Sequence, residues 1–222
     1  MSLKDELKVV KQELSSDEKL LEQAFQLEKF YNKLQKLDWV DSNIIKRDLK
    51  LIAEKSAIYY KKDVDLNFIY DIQGLPLPKY KVLKEALLHL IRNSISHGIE
   101  DSKTRLDRGK DKTGRINIHL YEEDKNYVLR YSDDGSGFDF EKIRKIAIEK
   151  GLIKNSEKIN DKDLINLIFE DGFSVKSEID AISGTGVGMS VVKNNILYLL
   201  RGKINIKNRS GEGISILIKF PK

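Results

Sequence analysis

Two pairs of short alternating segments, each joined by a tight turn, most constrain the fold of this chain. The first pair is "GRINIHLY" (114–121) and "NYVLRYS" (126–132), and the second is "KINIKNR" (203–209) and "ISILIKF" (214–220). Alternation of apolar and polar residues predicts strands with one buried face, and the tight turns predict hairpins. Helical patterns lie between the pairs. The sequence therefore predicts an α+β fold, in which helices cover one face of a mixed, mostly antiparallel sheet.

The rest of the chain contributes one further strand pattern and several helical patterns. The strand pattern is "DLNFIY" at 65–70, which alternates in the same way. Helices are predicted at about 79–97, 140–150 and 161–170, and after the glycine-rich segment 183–189 to about residue 200.

Residues 3 to about 60 read as helix, and no proline or glycine occurs before Gly74. Apolar residues recur at three and four positions on both sides of a break at 15–17. We therefore predict a helical segment at 1–61 and a folded domain at 62–222. The helical segment either pairs with a second copy of the chain or packs on its own domain, and the sequence leaves both open.

Composition excludes several kinds of site. The 222 residues include no cysteine and three histidines, which rules out disulfides and thiolate metal sites and leaves little for a histidine-rich one. No stretch approaches the roughly 20 apolar residues of a membrane span. The amino terminus has no signal-peptide pattern. A cytoplasmic location without direct membrane insertion is therefore expected.

The charge of the chain also bears on its partners. A net charge of +5 arises from 40 basic and 35 acidic residues that are mixed along the sequence. Nucleic-acid binding favours a basic stripe with interleaved aromatic residues, and the sequence shows none. We expect no nucleic-acid partner, whereas an anionic small molecule such as a nucleotide is compatible.

The segment "DDGSG" begins at Asp133, the last residue of a predicted strand. A carboxylate at this position can point into a pocket as an acceptor, and a buried carboxylate needs a partner. The exocyclic amine of adenine would be such a partner. Gly135 and Gly137 would let the backbone pass close to a flat ring.

A second glycine-rich segment, Gly184 to Gly188, precedes a predicted helix. Unhindered backbone N–H groups at the start of a helix form a seat for anions, and phosphates suit it. The dinucleotide-binding version of such a loop needs a preceding βαβ strand. The polar "SEIDAI" before this segment does not provide one.

The stretch "HLIRNSISHGIED" places His89, Asn93 and His97 at four-residue spacing, which puts them on one face of a helix. A metal site, a phosphoacceptor histidine and a nucleotide pocket are all compatible with that pattern. The metal site is disfavoured because the face has two imidazoles and no nearby carboxylate. Asn93 offers the hard oxygen that Mg²⁺ prefers, with phosphates and waters as its other ligands. Together with the two glycine-rich segments, this stretch favours a nucleotide pocket.

These motifs, in this order, resemble those of the GHKL ATP-binding fold shared by histidine kinases, gyrase, MutL and the heat-shock chaperones. Within that group the sequence is similar, over about residues 62–221, to the ATP-binding catalytic domain of chemotaxis-type (CheA-like) histidine kinases. "HLIRNSISHGIED" resembles the N box, "DDGSGFD" the G1 box, "LIFEDGFS" the F box and "SGTGVGMSVVK" the G2 box. "SGEGISILIKFP" resembles the closing glycine motif. The resemblance implies a two-layer α/β sandwich of the GHKL (Bergerat) type.

The resemblance also implies roles for individual residues. Asn93 would ligate Mg²⁺, Asp133 would bond the adenine amine of ATP, and Gly135 and Gly137 would flank the base. His89 stands where ATP-hydrolysing relatives carry glutamate. In chemotaxis-type kinases a histidine at this place is implicated in phosphoryl transfer, so the resemblance implies that His89 and Asn93 are the catalytic residues. The remaining implied nucleotide contacts are Arg92, His97, Lys142, Ser183, Gly184, Gly186, Val187, Gly188, Met189 and Ser215.

The chain departs from the family pattern at two positions. Ser96 stands where aspartate is usual, and Ile214 stands where threonine is usual, although Ser215 follows it. The family's separate phosphoacceptor histidine is also missing, because His119 lies in a predicted strand. The resemblance therefore implies that the acceptor belongs to another domain or chain.

The implied activity is that of a two-component, chemotaxis-type protein-histidine kinase that uses Mg-ATP. Its implied partners are an Hpt-like phosphoacceptor domain, a response regulator reached indirectly, and receptor or adaptor proteins, with a homodimer through the N-terminal helices. Two alternatives stay open. One is a GHKL ATPase that acts as a nucleotide-gated switch, which His89 in place of glutamate disfavours. The other is a degenerate nucleotide-binding scaffold, which intact Asn93 and Asp133 disfavour.

Overall fold

The computed structural model describes residues 22–27, 29, 38–154, 159–169, 173 and 189–222. Residues 22–27 are helical. The strands, numbered along the chain, are β1 (Trp39–Asp41), β2 (Val64–Tyr70), β3 (Gly74–Pro76), β4 (Gly114–Glu123), β5 (Asn126–Asp133), β6 (Lys203–Arg209) and β7 (Gly213–Pro221). The helices are α1 (Ser42–Tyr60), α2 (Leu77–Asn93), α3 (Ser102–Asp107), α4 (Phe140–Glu149), α5 (Asp161–Ile168) and α6 (Met189–Asn194).

The main sheet has five strands in the order β2-β4-β5-β7-β6. Neighbouring strands are antiparallel except for β2 and β4, which are parallel. Parallel neighbours need a crossover connection, and here that connection contains α2. The two predicted hairpins, β4–β5 and β6–β7, are confirmed, and so is the mixed, mostly antiparallel sheet.

The core lies on one face of this sheet, beneath α1, α2 and α6. Alternate residues of the strands point into it, and each fully buried aliphatic side chain contributes about 1.5–3 kcal/mol. The residues of the strands that are buried there include Leu66, Phe68, Ile116, Ile118, Leu120, Leu129, Tyr131, Ile216, Ile218 and Phe220.

Helix α2 brings the first motif to the edge of the core. Pro76 precedes it and Pro78 lies in its first turn, where a missing N–H is harmless. The predicted helix at 79–97 ends earlier than expected, because Ser94–Gly98 form a turn of π-helix. The N–H of Ile99 donates to the carbonyl of Ser94 at 2.6 Å, which closes that turn. π-turns are often found at functional sites.

The expectation of helix from residue 17 to about residue 60 is wrong at β1. This strand pairs antiparallel with β3, with Val40 opposite Leu75. Asp41 then caps α1 by accepting from the N–H of Asn43 at 2.7 Å. A three-residue strand leaves no alternation to recognise, so only the pairing with β3 defines it.

Helix α1 packs into the same core as the sheet, since Ile45, Leu49 and Ala53 are buried there. The division of the chain at residue 61 stays a prediction, and about half of the predicted helical segment, including residues 1–21 and 30–37, lies outside the described residues. Among the residues that the structure describes, no helix combines the length and the apolar composition needed to cross a membrane.

Candidate functional site

The carboxylate of Asp133 lies where three distant segments of the chain meet. Asp133 ends β5 and is 6% exposed. Its Oδ1 accepts from the N–H of Gly135 at 3.1 Å and from the N–H of Ile214 at 3.3 Å. Its Oδ2 accepts from the hydroxyl of Ser94. We call Ser94, Asp133, Gly135 and Ile214 the Asp133 corner.

The electrostatics of the Asp133 corner suit a carboxylate that receives a further donor. Burial raises the pKa of Asp133, while the hydrogen bonds from Ser94, Gly135 and Ile214 lower it. The net pKa lies above the ordinary aspartate value of 3.8. These three donors are neutral groups. A neutral donor from a ligand, such as an amine on a purine ring, would stabilise the charged form further.

Further hydrogen bonds connect the Asp133 corner to the buried core. The hydroxyl of Tyr131 lies 2.7 Å from Ser94 Oγ and 3.2 Å from the carbonyl of Leu90. Tyr131 is fully buried, and burial raises the pKa of its hydroxyl well above the ordinary value, so it remains a donor. The serine that orients Asp133 is thus fixed by the core.

The glycines at this corner are required by close approach of one backbone segment to another. A Cβ on Gly135 would lie 2.3 Å from the carbonyl oxygen of Gly98, and one on Gly213 would lie 2.0 Å from that of Asp133. Gly137 has φ of +75°, and a Cβ there would lie 2.5 Å from Asn208 Oδ1. Whatever they contribute to a ligand, these glycines are already needed by the packing.

The face of α2 next to the corner carries Glu85, His89, Arg92 and Asn93, which we call the α2 face. Asn93 is half-buried, and its Nδ2 donates to Sδ of Met189 at 3.0 Å. Met189 is buried at the start of α6. This contact occupies the amide nitrogen and leaves Oδ1 as the acceptor.

The ligands available near Asn93 decide whether the site can hold Mg²⁺. In the described part of the chain, no group of three or more His, Asp or Glu residues could hold a metal ion. A single carboxamide oxygen is sufficient for Mg²⁺ when phosphates and waters supply the other ligands. The residues fit a metal that arrives with a nucleotide and do not fit a metal held by protein alone.

His89 lies one turn before Asn93 and is half-buried. Burial lowers the pKa of its imidazole, the charge of Glu85 raises it, and that of Arg92 lowers it. The net result is below the ordinary histidine value of 6.5, so the ring is neutral at neutral pH. A neutral imidazole can accept a proton.

The structure brings some of the remaining predicted residues to the site and not others. Arg92 shares the α2 face, and His97 is exposed in the π-turn. Lys142 is exposed in the first turn of α4, where its backbone N–H bonds Asp139. The remaining predicted contacts, Ser183, Gly184, Gly186, Val187 and Gly188, lie outside the described residues.

Ser215 does not belong with Asp133. Residues alternate along β7, and Ile216 is fully buried on the core face, so the exposed Ser215 projects from the opposite face of the sheet. The neighbouring departure from the family pattern, Ile214, takes part through its backbone N–H. This placement argues against the predicted contact between Ser215 and the nucleotide.

Sequence reasoning missed several residues that position the site. Ser94 orients Asp133, and the carbonyl of Gly98 accepts from the N–H of Ser136 at 2.7 Å. Lys62 donates to the carbonyls of Ser96 and Ile99 at 3.0 Å and 2.6 Å. Ser94 directly follows Asn93 in the sequence, so a role in the site could have been predicted for it. Lys62 lies far from the motif in sequence, and no pattern pointed to it.

Comparison with known families matches residues 79–222 to the histidine kinase-, DNA gyrase B-, and HSP90-like ATPase family. That range runs from α2 to the end of the sheet and includes the Asp133 corner and all four residues of the α2 face. The chain belongs to this ATPase family. The expectation of a nucleotide-binding domain is thereby confirmed.

Two relatives of this ATPase domain are chemotaxis proteins. The chain is 38% identical over 162 residues to the chemotaxis protein CheA of Bacillus subtilis, a match that covers 72% of this chain and 24% of that protein. It is 32% identical over 222 residues to the chemotaxis protein CheA of Halobacterium salinarum, covering 93% and 32% respectively. The chain thus spans about a quarter to a third of these relatives. The resemblance to the chemotaxis-type domain is confirmed.

The ATPase domain also has structural neighbours. The catalytic domain of the histidine kinase ThkA matches with a TM-score of 0.50 and 19% identity, and the match covers 83% of this chain and 94% of that domain. At this level of identity the match concerns the fold alone. It confirms the predicted GHKL-type α+β architecture.

Proposed function

We propose that this chain is the ATP-binding catalytic domain of a chemotaxis-type histidine kinase, which transfers the γ-phosphoryl group of Mg-ATP to a histidine on a separate domain. The observation that carries the proposal is the meeting of three sequence motifs in one place. Ser94, which follows Asn93 at the end of α2, Gly135 after β5, and Ile214 in the β6–β7 hairpin all donate to the carboxylate of Asp133. The relatives that share these motifs are named as chemotaxis proteins.

Asp133 would recognise the base in this proposal. Both of its oxygens are already oriented by protein donors, so the carboxylate needs no rearrangement before it accepts the exocyclic amine of adenine. Preorganised acceptors avoid the entropic cost of ordering a side chain on binding. Gly135 keeps the adjoining backbone close to the π-turn.

Asn93 would hold the metal through Oδ1. When bound, Mg²⁺ neutralises charge on the phosphates and so lowers the barrier to phosphoryl transfer. The contact between Asn93 and Met189 links this ligand to α6, which directly follows the glycine-rich segment. Arg92, His97 and the residues from Ser183 to Gly188 remain proposed phosphate contacts.

His89 would act on the acceptor rather than on the nucleotide. A phosphoacceptor imidazole must be neutral at the nitrogen that attacks, and a neutral histidine nearby can accept or orient its proton. The lowered pKa of His89 keeps it in that form. Glu85 accepts from Asn195 Nδ2 at 3.0 Å, which ties the α2 face to the segment that follows α6.

Further parts of the proposal concern the protein to which this domain belongs. The acceptor would be an Hpt-like domain, a response regulator would receive the phosphoryl group from it, and receptor or adaptor proteins would set the activity. A homodimer through the N-terminal helices and a cytoplasmic location remain predictions from the sequence.

The decisive experiment is transfer of label from γ-labelled Mg-ATP to a histidine-containing phosphoacceptor domain of a chemotaxis kinase. We expect labelled acceptor whose phosphate is acid-labile and stable in base, as for phosphohistidine. The matched control is the same acceptor with its histidine replaced by glutamine, which must remain unlabelled. Label released only as free phosphate would favour the nucleotide-gated switch. Failure to bind nucleotide would favour the degenerate scaffold.

A further inference from the structure

A mostly buried ion network adjoins the Asp133 corner, and none of its members was given a role from the sequence. It consists of Glu100, Arg105, Lys110 and Asp134. The side chains of Arg105, Glu100 and Lys110 are 1%, 8% and 18% exposed. Burial raises the pKa of Glu100, but hydrogen bonds that include one from Lys110 bring it below the ordinary value of 4.5. Glu100 is therefore ionised at neutral pH.

Arg105 connects the segment after Asp133 to the loop after α3. Its Nη2 donates to the carboxylate of Asp134 at 2.8 Å, and its Nε donates to the carbonyl of Asp111 at 2.7 Å. Nη1 contacts both Glu100 and the carbonyl of Asp134 at 3.3 Å. The planar guanidinium thus fixes the distance between these two loops, which a lysine could not do in the same way.

Lys110 holds the backbone next to the Asp133 corner directly. Its Nζ donates to the carbonyls of Asp134 and Gly135, each at 2.8 Å, and to Glu100 at 3.0 Å. Those carbonyls belong to the two residues that follow Asp133. The N–H of Gly135 is itself one of the donors to Asp133, so Lys110 fixes the peptide groups that orient the carboxylate.

Stability of the fold is by itself a weak reason for a network of this kind. Desolvating several charges is costly, and apolar residues of similar volume are often as stabilising in such positions. The contacts to backbone carbonyls are what apolar residues could not replace. The network therefore restrains the backbone of Asp134 and Gly135, which directly follows Asp133.

We propose that Arg105 and Lys110 are positioning residues for base recognition, which hold the Asp134–Gly135 backbone so that Asp133 is aligned with the purine amine. The inference rests on the proposed function, because Asp133 must read the base for its alignment to matter. Neither cation contacts the nucleotide in this scheme. Their removal changes which base is preferred more than it changes phosphate binding.

The test compares Lys110→Met with Arg108→Met by calorimetric titration with Mg-ADP and Mg-GDP. Arg108 is a matched control because it bonds the same Glu100 oxygen at 3.0 Å while its side chain is 52% exposed. We expect Lys110→Met to lower ADP affinity about tenfold, a loss of one charge-assisted contact, with GDP affinity nearly unchanged. Arg108→Met should leave both affinities unchanged.

Further variants separate positioning from simple loss of structure. Lys110→Arg retains donors that reach both carbonyls, so it should recover most of the ADP preference. If Lys110→Met does not fold, Lys110→Gln takes its place in the same titration. An unchanged ADP-to-GDP ratio in a folded Lys110 variant would overturn the inference, and so would an equal loss of both nucleotides. A wild-type protein without any ADP preference would instead contradict the proposed function of Asp133.

Discussion

The Asp133 corner and the α2 face adjoin each other but are built on different physical principles. In the corner, backbone N–H groups of Gly135 and Ile214 and a buried serine fix one carboxylate. On the α2 face, His89 and Asn93 are half-buried side chains on a helix, and Asn93 is held by a contact to one sulfur atom.

We propose that this difference separates base recognition from phosphoryl transfer. The geometry of the corner is set by close backbone packing, so we expect it to suit selection of one base. The α2 face is accessible and titratable, so it suits metal binding and proton transfer. Substitutions in the corner should therefore change stability and base preference, and substitutions on the α2 face should change phosphate binding and turnover.

The largest expected effect is that of Asn93→Ala on the α2 face. Because the alanine removes the proposed protein ligand of Mg²⁺, we expect Mg-ATP affinity or turnover to fall by about 100-fold or more. Calorimetry and transfer of label to an acceptor domain measure the two quantities. Asn93 has little role in the core, so the melting temperature should change little. Retention of both affinity and turnover would contradict the metal role.

His89→Ala should separate nucleotide binding from phosphotransfer within the α2 face. Nucleotide affinity should remain near the wild-type value, whereas phosphotransfer should fall by about 100-fold, as is usual for loss of an acid–base group. Single-turnover transfer to a supplied acceptor measures the rate. Unchanged transfer would remove His89 from the mechanism.

Gly213→Ala tests whether the corner depends on backbone packing. Gly213 has φ of +99°, and an added Cβ would meet the carbonyl of Asp133. We expect a loss of about 3 kcal/mol of unfolding free energy from the two effects together. Gly211→Ala is the matched control, since Gly211 has φ of +79° with nothing within 4 Å, and it should cost about 1 kcal/mol. Equal costs in denaturant unfolding would show that contact with Asp133 is unimportant.

Asp133→Asn should alter recognition without breaking the corner. The amide oxygen can still accept from Gly135 and Ile214, and the amide nitrogen can donate to Ser94. The same nitrogen would then face the purine amine, donor against donor, so adenine nucleotides should bind about tenfold more weakly. Titration with a pyrimidine nucleotide is the control, and an equal loss there would argue against base reading.

The smallest expected effect is a pH dependence of stability at the same residue. Because the pKa of Asp133 is raised in the folded state, the protonated form is favoured there, and its contribution is lost as pH rises through the folded pKa. An asparagine does not titrate. The stability of Asp133→Asn relative to wild type should therefore increase from acidic to neutral pH, as measured by thermal unfolding. A constant difference would show that burial does not shift this pKa.

Much of the fold was predictable because it depends on local patterns. Alternation located β4 to β7 within one or two residues, and turn residues located both hairpins. The position of Asp133 at the end of β5 followed from the same pattern. By contrast, β1 and the π-turn depend on contacts between distant residues, which a local pattern does not contain.

The candidate site was predictable to the extent that its residues were adjacent in a motif. Asn93 and Asp133 were predicted in this way. Ser215 was predicted with them, although strand alternation with Ile216 already placed it on the other face of the sheet. Arg105 and Lys110 were not found, because buried cations that bind backbone carbonyls look like ordinary surface charges in a sequence.

A calorimetric titration of the folded wild-type chain with ADP, with and without Mg²⁺, tests whether the nucleotide site exists. If the α2 face and the Asp133 corner form one nucleotide site, the chain binds a single equivalent of ADP, more tightly with the metal than without it. A chain that is folded by circular dichroism and binds no adenine nucleotide in the presence of Mg²⁺ would contradict this account.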